Sequence, residues 1–203
     1  MRRMNQGNPV TKLKQPILLV VFGVLAVSAG IVFVSVSYSN TITPEGIIIH
    51  HSSTLPPLVQ LFGATRERVT WDLDTWDEFH QERGFKIFYW GRVYHIGYHY
   101  LILPDGTIKQ GRPERCLGAH ARGFNSYLGI VLVGDFSSRH NPAGQNGPTQ
   151  PTVQQMHSLV VLCRQLRDRY HIPSNRILRH RDVTRTECPG DRFPFSELVG
   201  QLQ

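Results

Sequence analysis

The apolar positions of this chain fall into runs with different periods. The first run has no period: Ile17 to Val36, ILLVVFGVLAVSAGIVFVSV, contains no charged residue. It reaches the roughly 20 residues that a helix needs to cross a bilayer, so the sequence predicts a transmembrane helix over 17–38 and a polar linker over 39–45. Gly46 to His51, GIIIHH, and Leu128 to Gly134, LGIVLVG, are short β-branched runs of the kind expected in strands buried on both faces. Thr70 to Arg83 changes to helical spacing, with Leu73, Trp76, Phe79 and His80 on one face. Thr70 is placed to cap this helix, Asp72 and Asp74 suit its first turn, Arg83 its last, and Gly84 its end. Tyr98 to Leu103 and Thr107 to Gln110 read as a hairpin around Pro104-Asp105-Gly106. Thr152 to Tyr170 is the clearest helix, with Met156, Leu159, Val160, Cys163, Leu166 and Tyr170 in register and a capping box between Thr152 and Gln155. Gly144 to Pro151 is a loop by composition. Strands and helices alternate, which predicts an α/β domain over 46–203, a mixed central β-sheet flanked by helices.

Charge changes the picture at the N-terminus. The formal net charge is +7. Arg2, Arg3, Lys12 and Lys14 lie in residues 1–16 with no acid among them, so +3 is left for the rest of the chain. That remainder is too weak for a nucleic-acid footprint, and no nucleic-acid partner is expected. The basic flank instead predicts topology. It makes 1–16 a cytoplasmic tail and the chain a single-pass protein of the inner (cytoplasmic) membrane, with the domain on the extracytoplasmic, periplasmic side. Val27-Ser28-Ala29 imitates the cut site of a signal peptide, but the apolar run continues through Ile31 to Val34. A retained anchor is therefore the expectation and a cleaved signal peptide the alternative.

Three cysteines, Cys116, Cys163 and Cys188, are an odd number for an exported chain. One is therefore left over as a ligand or reactive thiol, and whether Cys116 pairs with Cys163 stays open. The segment Arg179 to Gly190, RHRDVTRTECPG, holds His180 and Cys188. A catalytic zinc takes three protein ligands and keeps one open position. His50, at the C-terminal end of a buried strand, is the best third ligand, and alternation turns His51 to the other face. Each of these residues also has an ordinary structural use, as a hydrogen-bonded histidine or a buried thiol. His180-Arg181-Asp182 imitates a kinase triplet, without the downstream Asn or the upstream glycine-rich loop which that motif requires.

Five segments occur in a fixed order: IIIHHSST, GYHYLILPDGTIKQGR, GAHARGFN, LGIVLVGDF and HRDVTRTECPG. Together, over about 46–195, they resemble the zinc-dependent N-acetylmuramoyl-L-alanine amidases of the type-2 amidase family, which includes phage lysozyme-amidases and peptidoglycan recognition proteins. The resemblance implies Zn2+ held by His50, His180 and Cys188, and catalytic roles for Tyr98 and Thr186. It places His120, Arg122 and Asn125 along the groove that binds peptidoglycan or muropeptides. The implied reaction is hydrolysis of the amide between N-acetylmuramic acid and L-alanine. Asp182 is a candidate to orient a ligand, with a salt bridge or turn as its structural alternative.

Two features depart from the family pattern. Lys86 to His95, KIFYWGRVYH, is longer than the usual link, and Thr186 stands where some members have Lys. The alternative function is a membrane-tethered, non-catalytic peptidoglycan-binding receptor. Binding-only members of the family typically lack the cysteine, whereas this chain keeps Cys188.

Overall fold

The computed structural model describes residues 22–27, 30–35, 40–53, 58–59, 67–68 and 73–203. Met1–Ser39 and Asn40–Gln203 are separate units. In the first, β1 (Phe22–Val27) and β2 (Gly30–Ser35) pair antiparallel, with Phe22 opposite Ser35 and Val27 opposite Gly30. This corrects the expected helix: the segment forms strands. Residue type favours this: valine, isoleucine and phenylalanine make up three of the six residues of β1 and four of the six of β2, and all three favour extended backbone. The basic tail, residues 17–21, 28–29 and 36–38 of the apolar run, and Ser39 lie outside the described residues. Among the described residues, no helix is long and apolar enough to cross a membrane.

The second unit begins with β3 (Ile47–His51), followed by the short antiparallel pair β4 (Leu58–Val59) and β5 (Glu67–Arg68). Helix α1 (Leu73–Glu82) comes next; its expected N-terminal residues Thr70 and Asp72 lie outside the described residues. The longer link after α1 is a hairpin, β6 (Ile87–Tyr89) and β7 (Arg92–Tyr94). Its turn holds Trp90 at φ 47 and Gly91 at φ 80. Glycine adopts this left-handed region without penalty, whereas a tryptophan there costs about 1–3 kcal/mol. Then follow β8 (Tyr100–Ile102), β9 (Ile108–Gln110), β10 (Leu128–Leu132), α2 (Val153–Tyr170), β11 (Ile177–Arg179), α3 (His180–Val183) and α4 (Phe195–Gln201).

The central sheet has the order β11-β3-β10-β8-β9. The first four strands run parallel and β9 returns antiparallel from β8, so the sheet is mixed as expected. Alternation divides its two faces. Ile47, Ile49, Leu128, Ile130, Leu132, Tyr100 and Ile102 pack with Met156, Leu159, Val160, Cys163 and Leu166 of α2. On the other face Leu101 and Val131 pack with Trp76 of α1, and Ile48 packs with Ala121 and Tyr127.

Helix α2 carries the expected capping box: Thr152 Oγ1 accepts from Gln155 N at 3.0 Å, and the Gln155 side chain accepts from Thr152 N. Thr152 also donates to Pro104 O at 2.6 Å, which ties the helix start to the β8–β9 turn. Gln155 is fully buried and donates to Ile102 O and Val133 O. An uncapped glutamine at this depth would be costly, so these bonds fix the helix against the sheet. All three cysteines are free; Cys163 lies in the core and does not pair with Cys116.

Candidate active site

The site forms on the face opposite α2, at the carboxyl ends of parallel strands, where open α/β sheets commonly place their chemistry. His50 is the second-last residue of β3 and shares its face with Ile48. Strand β11 pairs with β3 so that Arg179 lies opposite Ile49, and the next residue, His180, comes beside His50 with ring centroids 4.5 Å apart. After α3 the chain turns back, and Arg181 N donates to Cys188 O at 2.9 Å. This return brings Cys188 Sγ to 3.7 Å from His50 Nδ1. One donor atom from each of His50, His180 and Cys188 lies within 4.8 Å of the others.

The donor chemistry fits a zinc ion. At bond lengths of about 2.0–2.3 Å, tetrahedral ligand atoms stand roughly 3.4–3.7 Å apart, and the His50–Cys188 separation already matches. The protonation pattern fits as well. His120 bonds Tyr127 O through Nε2 at 2.9 Å, a contact that requires a proton on Nε2 and leaves Nδ1 as an acceptor. His50 Nε2 then donates to His120 Nδ1 at 3.1 Å, so the His50 lone pair is on Nδ1, the atom that faces the thiol. Burial, helped by the neighbouring imidazoles of His120 and His180, holds His50 well below its ordinary pKa, and burial also lowers His180. Both imidazoles are therefore neutral and able to ligate. Burial raises the Cys188 thiol to about 12, so in the absence of a cation it keeps its proton. His51 N donates to Cys188 Sγ at 3.4 Å.

Tyr98 lies against His50, ring centroids 5.1 Å apart, and against Trp76. Burial raises the Tyr98 pKa, reinforced by the Cys188 sulfur, so its hydroxyl remains a donor. Thr186 Oγ1 accepts from Cys188 N at 3.3 Å, which leaves the hydroxyl hydrogen to be directed elsewhere. His51 faces away as alternation requires: its Nδ1 accepts from Phe136 N at 3.1 Å and lies 3.6 Å from Asp135. Asp182 does not orient a ligand. It accepts from Arg179 N at 2.8 Å and from the Arg179 guanidinium, the salt-bridge role open to it as the alternative.

The three groove residues are placed differently from one another. His120 sits beneath His50 with both ring nitrogens engaged inside the protein. Asn125 Oδ1 accepts from the backbone amides of His120 and Ala121, each at 3.0 Å, and so shapes the loop. Arg122 is exposed.

Several supporting residues lay beyond the sequence reading. His99, fully buried, bonds Cys116 O at 2.8 Å and accepts from Gly129 N at 3.0 Å; His80 accepts from Gly97 N. These two histidines fix the backbone on either side of Tyr98. Arg112, also buried, donates to Ile96 O and Leu117 O. Gly129 and Gly118 leave room for the His120 ring: an added Cβ would stand 2.5 Å and 2.6 Å from its Cδ2. The clustering of histidines and glycines in Gly97-Tyr98-His99 and Gly118-Ala119-His120 was the available signal, but the partners are backbone groups that a sequence does not identify.

The fold is that of an α/β protein with a mixed sheet covered by helices, in which two imidazoles and a thiol gather at the carboxyl ends of the parallel strands. Residues 40–191 match the family model described as N-acetylmuramoyl-L-alanine amidase, and the chain belongs to that family. It is 31% identical over 156 residues to the endolysin of Enterobacteria phage T3, covering 76% of this chain and 85% of that one. Among solved structures it resembles the N-acetylmuramoyl-L-alanine amidase LysC from Clostridium intestinale URNW, at 34% identity and TM-score 0.60, covering 82% of this chain and 94% of LysC. It also resembles Drosophila PGRP-LB, at 30% identity and TM-score 0.54, covering 78% and 82% of the two chains.

Proposed function

We propose that the protein is a zinc-dependent peptidoglycan amidase that cleaves the bond between N-acetylmuramic acid and L-alanine. The observation that carries this reading is the convergence of His50, His180 and Cys188 beside Tyr98. A zinc ion held by these three residues would supply a Lewis acid able to acidify water and polarise an amide carbonyl. The chain's own residues account for the remaining requirements. His120 holds His50 in the tautomer that points Nδ1 at the site. Tyr98, kept protonated by burial, offers a hydroxyl donor to the oxyanion that develops as the amide is attacked, and Thr186 offers a second. Exposed Arg122 provides a positive contact for the carboxylates of the stem peptide. His120 is a poor proton carrier, since burial and the neighbouring His99 lower its pKa to about 3, against the bond to Tyr127 O.

The uncharged run 17–36 and the four basic residues before it support a second part of the proposal. This segment tethers the domain to the cytoplasmic membrane with the site on the extracytoplasmic side, near the wall.

Digestion of purified peptidoglycan by the full chain, with mass analysis of the fragments, tests the activity. The expected products are free stem peptides beginning at alanine. Release of sugar fragments with the peptide still attached would refute the bond assignment, and full activity after chelation and removal of metal would refute the zinc dependence.

A further inference from the structure

The β6–β7 hairpin exposes apolar side chains that nothing in the catalytic reading uses. Phe88 and Val93 lie directly opposite each other on one face of the ribbon and are 59% and 39% exposed. Trp90, at the turn, is 72% exposed and sits in the left-handed region. A solvated tryptophan in a strained turn position calls for a reason outside the fold. From Arg83 to Tyr94 the chain carries three exposed cations, Arg83, Lys86 and Arg92, and has no Asp, Glu, Asn or Gln. The stretch thus offers aromatic and cationic groups and no carboxylate or amide side chain of its own. Aromatic tips flanked by cations suit the headgroup region of an anionic bilayer.

The position of the hairpin in the domain agrees with that partner. The chain enters the domain at Asn40, whose side-chain amide donates to Phe88 O at 3.1 Å. The entry is held by Leu117 N to Asn40 O and Ile42 N to Arg115 O, both 2.8 Å. At the far end of the hairpin, Asp77 accepts from the backbone amides of His95 and Ile96 and pairs with the His95 ring, all at 2.9 Å. The ribbon is thus fixed at both ends. The ribbon therefore lies beside the point where the chain enters this unit.

We propose that the β6–β7 hairpin docks on an anionic phospholipid surface, inserting Phe88, Trp90 and Val93 among the headgroups while Lys86 and Arg92 meet lipid phosphates. Docking orients the domain, because the ribbon leads directly into Ile96, Gly97 and Tyr98. The inference rests on the tethering part of the proposed function, and two measurements on the full chain separate them.

Alkaline carbonate extraction of membranes reports the tether. Quenching of tryptophan emission by brominated lipids, in phosphatidylcholine vesicles with and without phosphatidylglycerol, reports the hairpin. Expected are retention in the membrane, quenching that depends on phosphatidylglycerol, and loss of the quenched component in Trp90→Phe. Phe88→Ser with Val93→Ser should reduce quenching of the remaining Trp90 while leaving turnover of soluble muropeptide unchanged. A retained chain whose quenching is indifferent to Trp90→Phe overturns the docking and leaves the tether. A carbonate-extractable chain that is still quenched through Trp90 overturns the tether and leaves the docking. If intact wall sacculi, and not vesicles, protect Trp90, the hairpin is a glycan contact and the lipid assignment fails.

Discussion

The most demanding consequence of the site is that one methyl group, placed on β10, should disturb both the fold and the metal. In Gly129→Ala the new Cβ would stand 2.5 Å from His120 Cδ2, 2.6 Å from Cγ and 2.8 Å from Nε2. Carbon atoms in contact rest at about 3.5 Å, so the ring must retreat by roughly 1 Å. It cannot do so and keep its partners, since bonds of 2.9 Å to Tyr127 O and 3.1 Å to His50 Nε2 hold it on both sides. A retreat of that size takes at least one of them beyond hydrogen-bonding range. Overpacking costs about 1–3 kcal/mol and each lost bond about 0.5–1.5 kcal/mol, which together predict a loss of about 2–4 kcal/mol. Urea unfolding would register this as a midpoint lowered by about 1–2 M. Freed from His120, His50 loses its fixed tautomer, and zinc affinity should fall about 10–100-fold. The double variant Gly129→Ala with His120→Ala supplies the control. With the ring gone the methyl group fits, so the double variant should be about as stable as His120→Ala alone, a coupling of at least about 1 kcal/mol. Additive losses, or a Gly129→Ala protein with unchanged midpoint and zinc affinity, would show that Gly129 does not make room for the His120 ring.

Three further outcomes are expected. Cys188→Ser should lower bound zinc well below one ion per chain by elemental analysis and abolish release of stem peptides, while the circular dichroism spectrum stays unchanged. Zinc affinity should rise about tenfold per pH unit near neutrality, because the two histidines are already neutral and only the thiol, raised to about 12, must give up a proton on binding; competition with a chelator across pH measures this slope, and a flat profile would contradict the thiolate as ligand. Glu114 is pushed up by burial but held below the ordinary glutamate value by hydrogen bonds from Tyr100, Tyr170 and Arg169. A depressed carboxyl contributes stability above its unfolded pKa of about 4.3, and the contribution disappears as pH falls through the folded value. Glu114→Gln should therefore lower the urea midpoint at pH 7, with the difference closing in acid.

How much of this was legible in the chain depended on how local the cause was. Helix α2 could be read in full because its signals are local: an apolar stripe along its 18 residues, a capping threonine just before them and a glutamine three positions on. Strands β3 and β10 were visible as apolar runs, and the alternation that separates His50 from His51 follows from strand geometry. The apolar run near the N-terminus is the opposite case. Its composition suits both a spanning helix and the pairing of β1 with β2, because hydropathy sets what a segment avoids and not which hydrogen bonds it forms. The inserted link after α1 was seen as extra length, but its form as a ribbon with an exposed tryptophan was not, since the Trp90-Gly91 turn carries no strong turn signal at Trp90.

Residue identity and spacing along the chain establish the groups available for chemistry, the alternation that points one histidine of a pair inward, and the order of the motifs that mark the family. Which of these groups meet depends on how the strands pair. Parallel pairing of β11 with β3, strands more than a hundred residues apart, brings His180 beside His50. The buried hydrogen-bond chain from Tyr127 through His120 chooses the nitrogen that His50 presents. Short-range patterns fix what a segment can be, because they act between neighbours along the chain. Contacts across the sheet are selected by the packing of the whole domain, where a polar group removed from water must find its partner wherever the fold has placed one.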